Sequence, residues 1–213
     1  MFIMRFFEER SSRHNKNLTS LMEPQYFKNV DLASLTILPI SKESKSYVAK
    51  IEPRLVIQTP PIQVTSPLVS DGDHMPFVYL RVSGPFEKYL KETEEKVLDF
   101  CVDHKKDWLK RDLDDDAIRH CFKSFFKDDS IKVMVPEDVV VFDAKKSAID
   151  REGLGTNVRA ILELNRIVFG KTEFGAMWRV LQLQTVESPR CLIDDSLDTD
   201  EVFDDDYDMH EFL

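Results

Sequence analysis

The chain has 213 residues, 42% of them hydrophobic, with 39 acidic residues against 29 Lys and Arg for a formal net charge of −10. That suits one cored domain with appendages. Three widely spaced cysteines (Cys101, Cys121, Cys191) exclude a disulfide framework and fit a reducing compartment. No apolar run approaches the roughly 18 residues of a membrane span, and the opening MFIMRFFEER is short and interrupted by Arg5, so a soluble, intracellular protein is expected.

The charge is uneven. From Cys191 to Leu213 there are ten carboxylates and no Lys or Arg; removing them leaves 29 acids, equal to the 29 bases of the rest. The body is neutral and the tail carries the excess. A low overall pI therefore leaves a local basic patch possible, and with it nucleic-acid binding.

Residues 1–29 read as a flexible N-terminal segment with Arg10, Arg13 and Lys16 in a polar stretch. Val30 to Pro39 is apolar and predicts a first strand. Tyr47 to Val64 is strand-like but broken at Pro53 and at Pro60-Pro61, because proline cannot donate to a ladder. Pro76 to Ser83 predicts a clear strand with Phe77, Tyr79 and Arg81 on one face and Val78, Leu80 and Val82 on the core face.

Gly84-Pro85 begins a helix in which Phe86, Leu90, Val97, Cys101 and Trp108 recur at helical spacing. An aspartate between Asp112 and Asp116 caps a second helix carrying Ile118, Cys121, Phe122 and Phe125. Residues 86–126 thus form a helical insertion between strands. Cys101, His104, His120 and Cys121 are nominal metal ligands, but adjacent side chains diverge by about 100° on a helix, so no metal site is expected. Ser130 to Phe142 predicts two short strands split at Pro136-Glu137-Asp138.

Asn157 to Val186 is the dominant feature, a long hairpin. Its first arm sets Val158, Ala160, Leu162 and Leu164 against Arg159, Glu163 and Asn165. Its second arm sets Trp178, Val180 and Gln182 against Arg179, Leu181 and Leu183. Gly170 and Gly175 bracket the turn, where glycine permits positive φ. Residues 188–213 are then an acidic tail too charged to fold alone.

No phosphate-binding loop, nucleophile elbow or H-E-x-x-H pattern occurs, so neither an enzyme nor a cofactor is expected. Short, proline-bent strands favour closure into a small barrel, which removes exposed edges. The expected fold is mainly β: an OB-fold-like barrel over residues 30–187 with a helical segment between strands and a disordered acidic tail. Such barrels hold single strands by stacking bases on aromatics and tracking phosphates with cations. The candidate lining is Tyr47, Lys50, Arg54, Tyr79, Arg81, Arg159, Arg166, Lys171, Phe174, Trp178 and Arg179. The tail, with Phe203, Asp204, Asp205, Asp206, Tyr207, Asp208 and Phe212, suits a tethered polyanion that competes for the groove and recruits replication proteins.

The strand Arg54 to Gln58 with Thr59-Pro60, the helical insertion from Phe86, the stretch VPEDVVVFD and the hairpin VRAILELNRIVF…FGAMWRVLQLQ are similar in order and patterning to one family. The chain resembles, over roughly residues 30–213, the replicative single-stranded-DNA-binding proteins of certain phages and nucleocytoplasmic large DNA viruses. That resemblance implies an oligonucleotide-binding barrel, sequence-tolerant binding of single-stranded DNA in viral replication, recombination or repair, and a location at the host-cell site of viral DNA replication. The family's tail often ends on its aromatic; here Leu213 follows Phe212. The alternative expectation is a β-rich adaptor or virion protein whose acidic tail binds a basic protein partner. The sequence leaves the oligomeric state open, a homodimer included, and does not separate DNA from RNA.

Overall fold

The computed structural model describes residues 23–43, 46–68, 75–109 and 113–186. The expectations for the segment before residue 23 and for the acidic tail from 187 lie outside the described residues.

Among these residues the strands in chain order are β1 (Gln25–Tyr26), β2 (Thr36–Ile37), β3 (Ser41–Glu43), β4 (Ser46–Gln58), β5 (Ile62–Val64), β6 (Phe77–Arg81), β7 (Phe126–Lys127), β8 (Ser130–Met134), β9 (Val140–Phe142), β10 (Ala148–Ile149), β11 (Asn157–Phe169) and β12 (Phe174–Thr185). Five of them close a barrel. β5 pairs with β6, β6 with β8, β8 with β12, β12 with β11, and β11 returns to β5. All contacts in this ring are antiparallel except β8 with β12, which is parallel. With β4 and β5 counted as one bent strand, this is the strand order of an OB-fold-like barrel.

β4 continues along β11 where β5 leaves off, with Leu164 opposite Leu55 and Ile167 opposite Ala49. It remains one strand through Pro53; the break comes at 59–61. There Thr59 bonds Ala160 twice, its N donating to the Ala160 carbonyl and its Oγ1 accepting from the Ala160 N. The stretch from Val30 to Pro39 differs from the strand expected: a 3₁₀ turn (Leu32–Ser34, capped by Asp31) interrupts it, leaving a strand of only Thr36–Ile37.

The barrel interior holds Leu80, Ile131, Val133, Leu162, Leu164, Ile167, Trp178 and Val180, all buried. Inward and outward positions alternate along each strand, but β12 carries an irregularity. Ile161 faces Gln182 while Leu162 faces Val180, so Leu181 is the extra residue of a bulge. Beyond it the phase flips: Leu183 is buried and Gln182 exposed, the reverse of what unbroken alternation from Trp178 predicts. A second shift between Leu164 and Ile167 lies on β11.

The insertion between β6 and β8 is helical, as the sequence indicates: α1 (Gly84–Asp103), α2 (Lys105–Leu109) and α3 (Asp115–Cys121). Phe86, Leu90, Val97 and Cys101 of α1 enter the common core, and burial pushes the Cys101 thiol up to about 12. Asp114 caps α3 by accepting from the Ala117 N at 2.6 Å. Arg119 ties α3 to α1 through Glu95 and Asp99 at 3.1 and 2.8 Å. At the far end of the hairpin, the Val186 N donates to the Asn157 carbonyl, fixing where the chain leaves the barrel. No described helix is long and apolar enough to cross a membrane.

Candidate nucleic-acid interface

The outward positions of β6, β8 and β12 form one continuous face. Register sets Phe77 against Met134, Tyr79 against Lys132 and Arg81 against Ser130 on β6–β8, and Arg179 against Met134 on β12–β8. Two-residue steps along β6 space Phe77, Tyr79 and Arg81 by about 7 Å each. Their partners in the pleat, Val78 and Leu80, point inward and are buried. The same alternation in SIKVM turns Ile131 and Val133 in and Lys132 out.

Cations sit on the aromatics of this face. The Lys132 Nζ lies 3.8 Å from the Phe77 ring centroid and the Lys127 Nζ 5.2 Å from that of Tyr79. The two rings meet edge to face, with centroids 5.7 Å apart. Exposed cation–π contacts hold only about 0.5–1 kcal/mol, so a base can displace a lysine from its ring and a phosphate can receive it. Among the described residues neither lysine has an ion-pair partner. Arg81 bonds Gln63 at 2.9 Å and pairs with Asp129 at 2.9 Å; both pair members are more than half exposed, so the pair is weak.

The face continues into a buried carboxylate. Glu163 lies opposite both Arg179 and Val56, and its side chain is 0% exposed. Its Oε2 accepts from Arg179 at 2.5 and 3.0 Å and from Asn165 at 3.1 Å; its Oε1 accepts from Arg54 at 3.2 Å. One buried acid thus holds two arginines side by side on the surface. From Asn165 the network runs to Arg166, which bonds Glu43 at 3.2 Å, and Glu43 pairs with Lys50 at 3.0 Å.

Of the residues singled out in the sequence, Tyr79, Arg81 and Arg179 come together on the β6–β8–β12 face. Arg54 joins them through Glu163. Lys50 and Arg166 cluster around Glu43, linked to Glu163 through Asn165. Tyr47 is exposed at the end of β4, opposite Phe169, and Arg159 is exposed on β11, opposite Gln184. Lys171 is exposed in the hairpin loop.

Trp178 and Phe174 are corrected. Trp178 is 0% exposed and packs edge-on against Phe125 at 6.2 Å; Phe174 is 5% exposed and stacks on Phe169 at 5.3 Å. Both occupy inward positions of β12, so neither offers a ring face on the outer β6–β8–β12 surface. The glycines flanking the loop also act differently from expectation. Neither Gly170 nor Gly175 has positive φ; among described glycines only Gly84 does. Gly175 is needed for close approach, since a Cβ there would sit 2.7 Å from the Lys123 carbonyl oxygen.

The sequence reading did not include Phe77, Lys127 or Lys132 in the lining. The signal for Phe77 and Lys132 lay in the period-two alternation of FVYLR and SIKVM. For Lys127 there was none, because its place over Tyr79 depends on how β7 folds back on β8.

A family model described as a family of unknown function, DUF5871, matches residues 69–204. No curated protein matches the chain. The structure is similar to that of the single-stranded DNA-binding protein from bacteriophage Enc34, at 12% identity, covering 76% of this chain and 97% of that one, with a TM-score of 0.45. For that protein in complex with ssDNA the identity is 10%, the coverage 74% and 99%, and the TM-score 0.41. For its C-terminal truncation they are 11%, 73% and 97%, and 0.42.

Proposed function

The chain belongs to the DUF5871 family, whose function is unknown, and we propose that it is a sequence-tolerant single-stranded-DNA-binding protein that acts in viral DNA replication, recombination or repair. One observation carries the binding reading: Phe77 and Tyr79 stand outward on adjacent same-face positions, each with a lysine over its ring, flanked by Arg81 and Arg179. Every base has a π face, so an aromatic row with interleaved cations binds single strands without reading sequence. An OB-fold-like barrel uses this strand face for oligonucleotides. No hydrogen-bonding cleft specific to one base is needed.

The acidic tail, with Phe203, Tyr207 and Phe212 as apolar anchors, competes for this face when DNA is absent and recruits replication partners when DNA displaces it. Tethering gives the tail an effective concentration of about millimolar order.

Fluorescence anisotropy with a labelled oligo-dT of about 30 nucleotides, at low and moderate salt, tests the reading. The comparison is the full chain against one ending at Arg190. Salt-sensitive binding that tightens without the tail is the expected result. Absence of binding by both forms at low salt overturns it, in favour of an adaptor whose tail engages a basic protein.

A further inference from the structure

The barrel wall has an opening beside the proposed groove. On the edge away from β11, between its pairing with β9 and the hairpin loop, β12 is attached at two places. At Trp178 and Arg179 it pairs with Val133 and Met134 of β8. Nearer the hairpin loop it bonds the segment before β7, the Lys123 N donating to the Phe174 carbonyl at 2.7 Å. Gly175 makes that second attachment possible by its close approach to Lys123. A cleft of about 280 Å³ opens around the residues between these attachments. The buried Phe125, Phe174 and Ala176 with Met134, Met177 and Val168 make its apolar lining; Lys123, Lys132 and Glu173 are its charged residues.

We propose that this cleft receives a single nucleobase of the bound strand, turned away from its neighbours. The inference rests on the single-strand reading of the adjoining face and adds to it a second kind of subsite. Three observations favour a base as the occupant. The volume lies just below the roughly 300–1,000 Å³ of pockets for drug-sized ligands, which suits one flat ring system. Two methionines flank it, and thioethers pack adaptably against aromatic rings. Met177 is 44% exposed, an apolar side chain left open to solvent at the cleft.

The charge is also suited to a nucleotide. Lys132 belongs to the cleft and to the groove at once, standing over Phe77 and lining the opening. Lys123 is held by Glu173 at 3.0 Å, but both side chains are more than half exposed and the pair is weak. A strand leaving the Phe77 ring thus finds a lysine for its phosphate and an apolar slot for its next base. Enzymes that extrude a base hold it in the same way, between apolar and aromatic side chains.

The test uses the full chain and dT oligonucleotides of about eight nucleotides, within the site size of one such barrel, with 2-aminopurine placed at each position in turn. Two variants alter the cleft without removing a cation: Val168→Phe fills it, and Met177→Glu charges its exposed wall. The expected result is a change in 2-aminopurine emission confined to one or two positions, lost in both variants, with affinity reduced about ten-fold. Thermal melting checks each variant's fold; should Val168→Phe fail to fold, Met177→Glu, at an exposed position, carries the test. If both variants bind as the wild type does and emission is the same at every position, the cleft inference is overturned while the groove stands. If wild type binds no oligonucleotide at low salt, both fall. If the variants instead abolish the effect of removing the tail beyond Arg190 and leave 2-aminopurine emission unchanged, the occupant is a tail aromatic, and the base assignment is overturned.

Discussion

Glu163 is the residue on which the outer face turns. Fully buried, it accepts four hydrogen bonds from Arg54, Arg179 and Asn165. Glu163→Gln puts an amide donor against the two guanidinium groups and removes one negative charge. Because Arg54 and Arg179 are 38% and 39% exposed, solvent recovers part of the loss. The stability cost should be about 1–3 kcal/mol, read from the urea midpoint. The same variant should bind oligo-dT more tightly at low salt, since both arginines are released to phosphate. A purely structural role moves the first readout and leaves the second alone. Trp178 separates in the opposite sense. Its indole N–H has no acceptor in the structure, so Trp178→Phe forfeits no hydrogen bond, whereas Trp178→Ala should cost about 3–5 kcal/mol by leaving a core cavity. Neither change should lower affinity in a variant that remains folded.

At the scale of elements, β6 and β8 carry the stacking surface. Phe77→Ala and Tyr79→Ala should each weaken oligo-dT binding by about 1–3 kcal/mol in anisotropy titrations, with unchanged melting behaviour. The helical insertion supports this surface from behind through Glu94 on α1, which bonds the Ser124 hydroxyl and the Phe125 N at 3.1 and 2.9 Å. Burial raises the Glu94 carboxyl above its ordinary 4.5, against the lowering effect of those two bonds. A raised acid favours the fold below its unfolded pKa, and that advantage is lost as pH rises through the folded value. Glu94→Gln should therefore be more stable than wild type at pH 7, with the gap closing below about pH 4.5, as urea denaturation at the two pH values would show. The elements themselves were largely legible: the long hairpin, the β6 strand, the long helix after Gly84-Pro85 and the Asp-capped α3 follow local alternation and punctuation. The bulge at Leu181 was not, because an extra residue looks like any other until its partner strand is known. The inward turn of Trp178 was equally hidden. Alternation assigns Trp178 and Arg179 to opposite faces without saying which face meets the core, and composition alone made Trp178 attractive as a stacking platform. The 3₁₀ turn after Val30 escaped because an apolar run of that length has no period of its own.

For the whole molecule, the neutral body hides a locally cationic face. If Arg81, Lys127, Lys132 and Arg179 each meet a phosphate, the plot of log K against log salt should have a slope of about −3, and Lys132→Ala should reduce its magnitude by about 0.7. The slope belongs to the assembled surface: these four residues come from four different strands, which only barrel closure brings side by side.

The bond from Val186 to Asn157 has a consequence for the tail that is a matter of leash length. It roots the tail at one end of the hairpin, while Met177 and the cleft lie toward the other. The eight steps along β12 from Met177 to Thr185 span about 27 Å. An extended chain advances at most about 3.3–3.6 Å per residue, so any tail residue before about 194 is tied too short to reach the cleft. The first acids, Asp194 and Asp195, stand at the limit of the leash, whereas Phe203 and everything beyond it have slack. If the tail competes as proposed, trimming the chain back from Leu213 should relieve competition progressively as Phe203 and then Glu201, Asp200 and Asp198 are lost, and removing the last residues from about 194 down to Arg190 should add little.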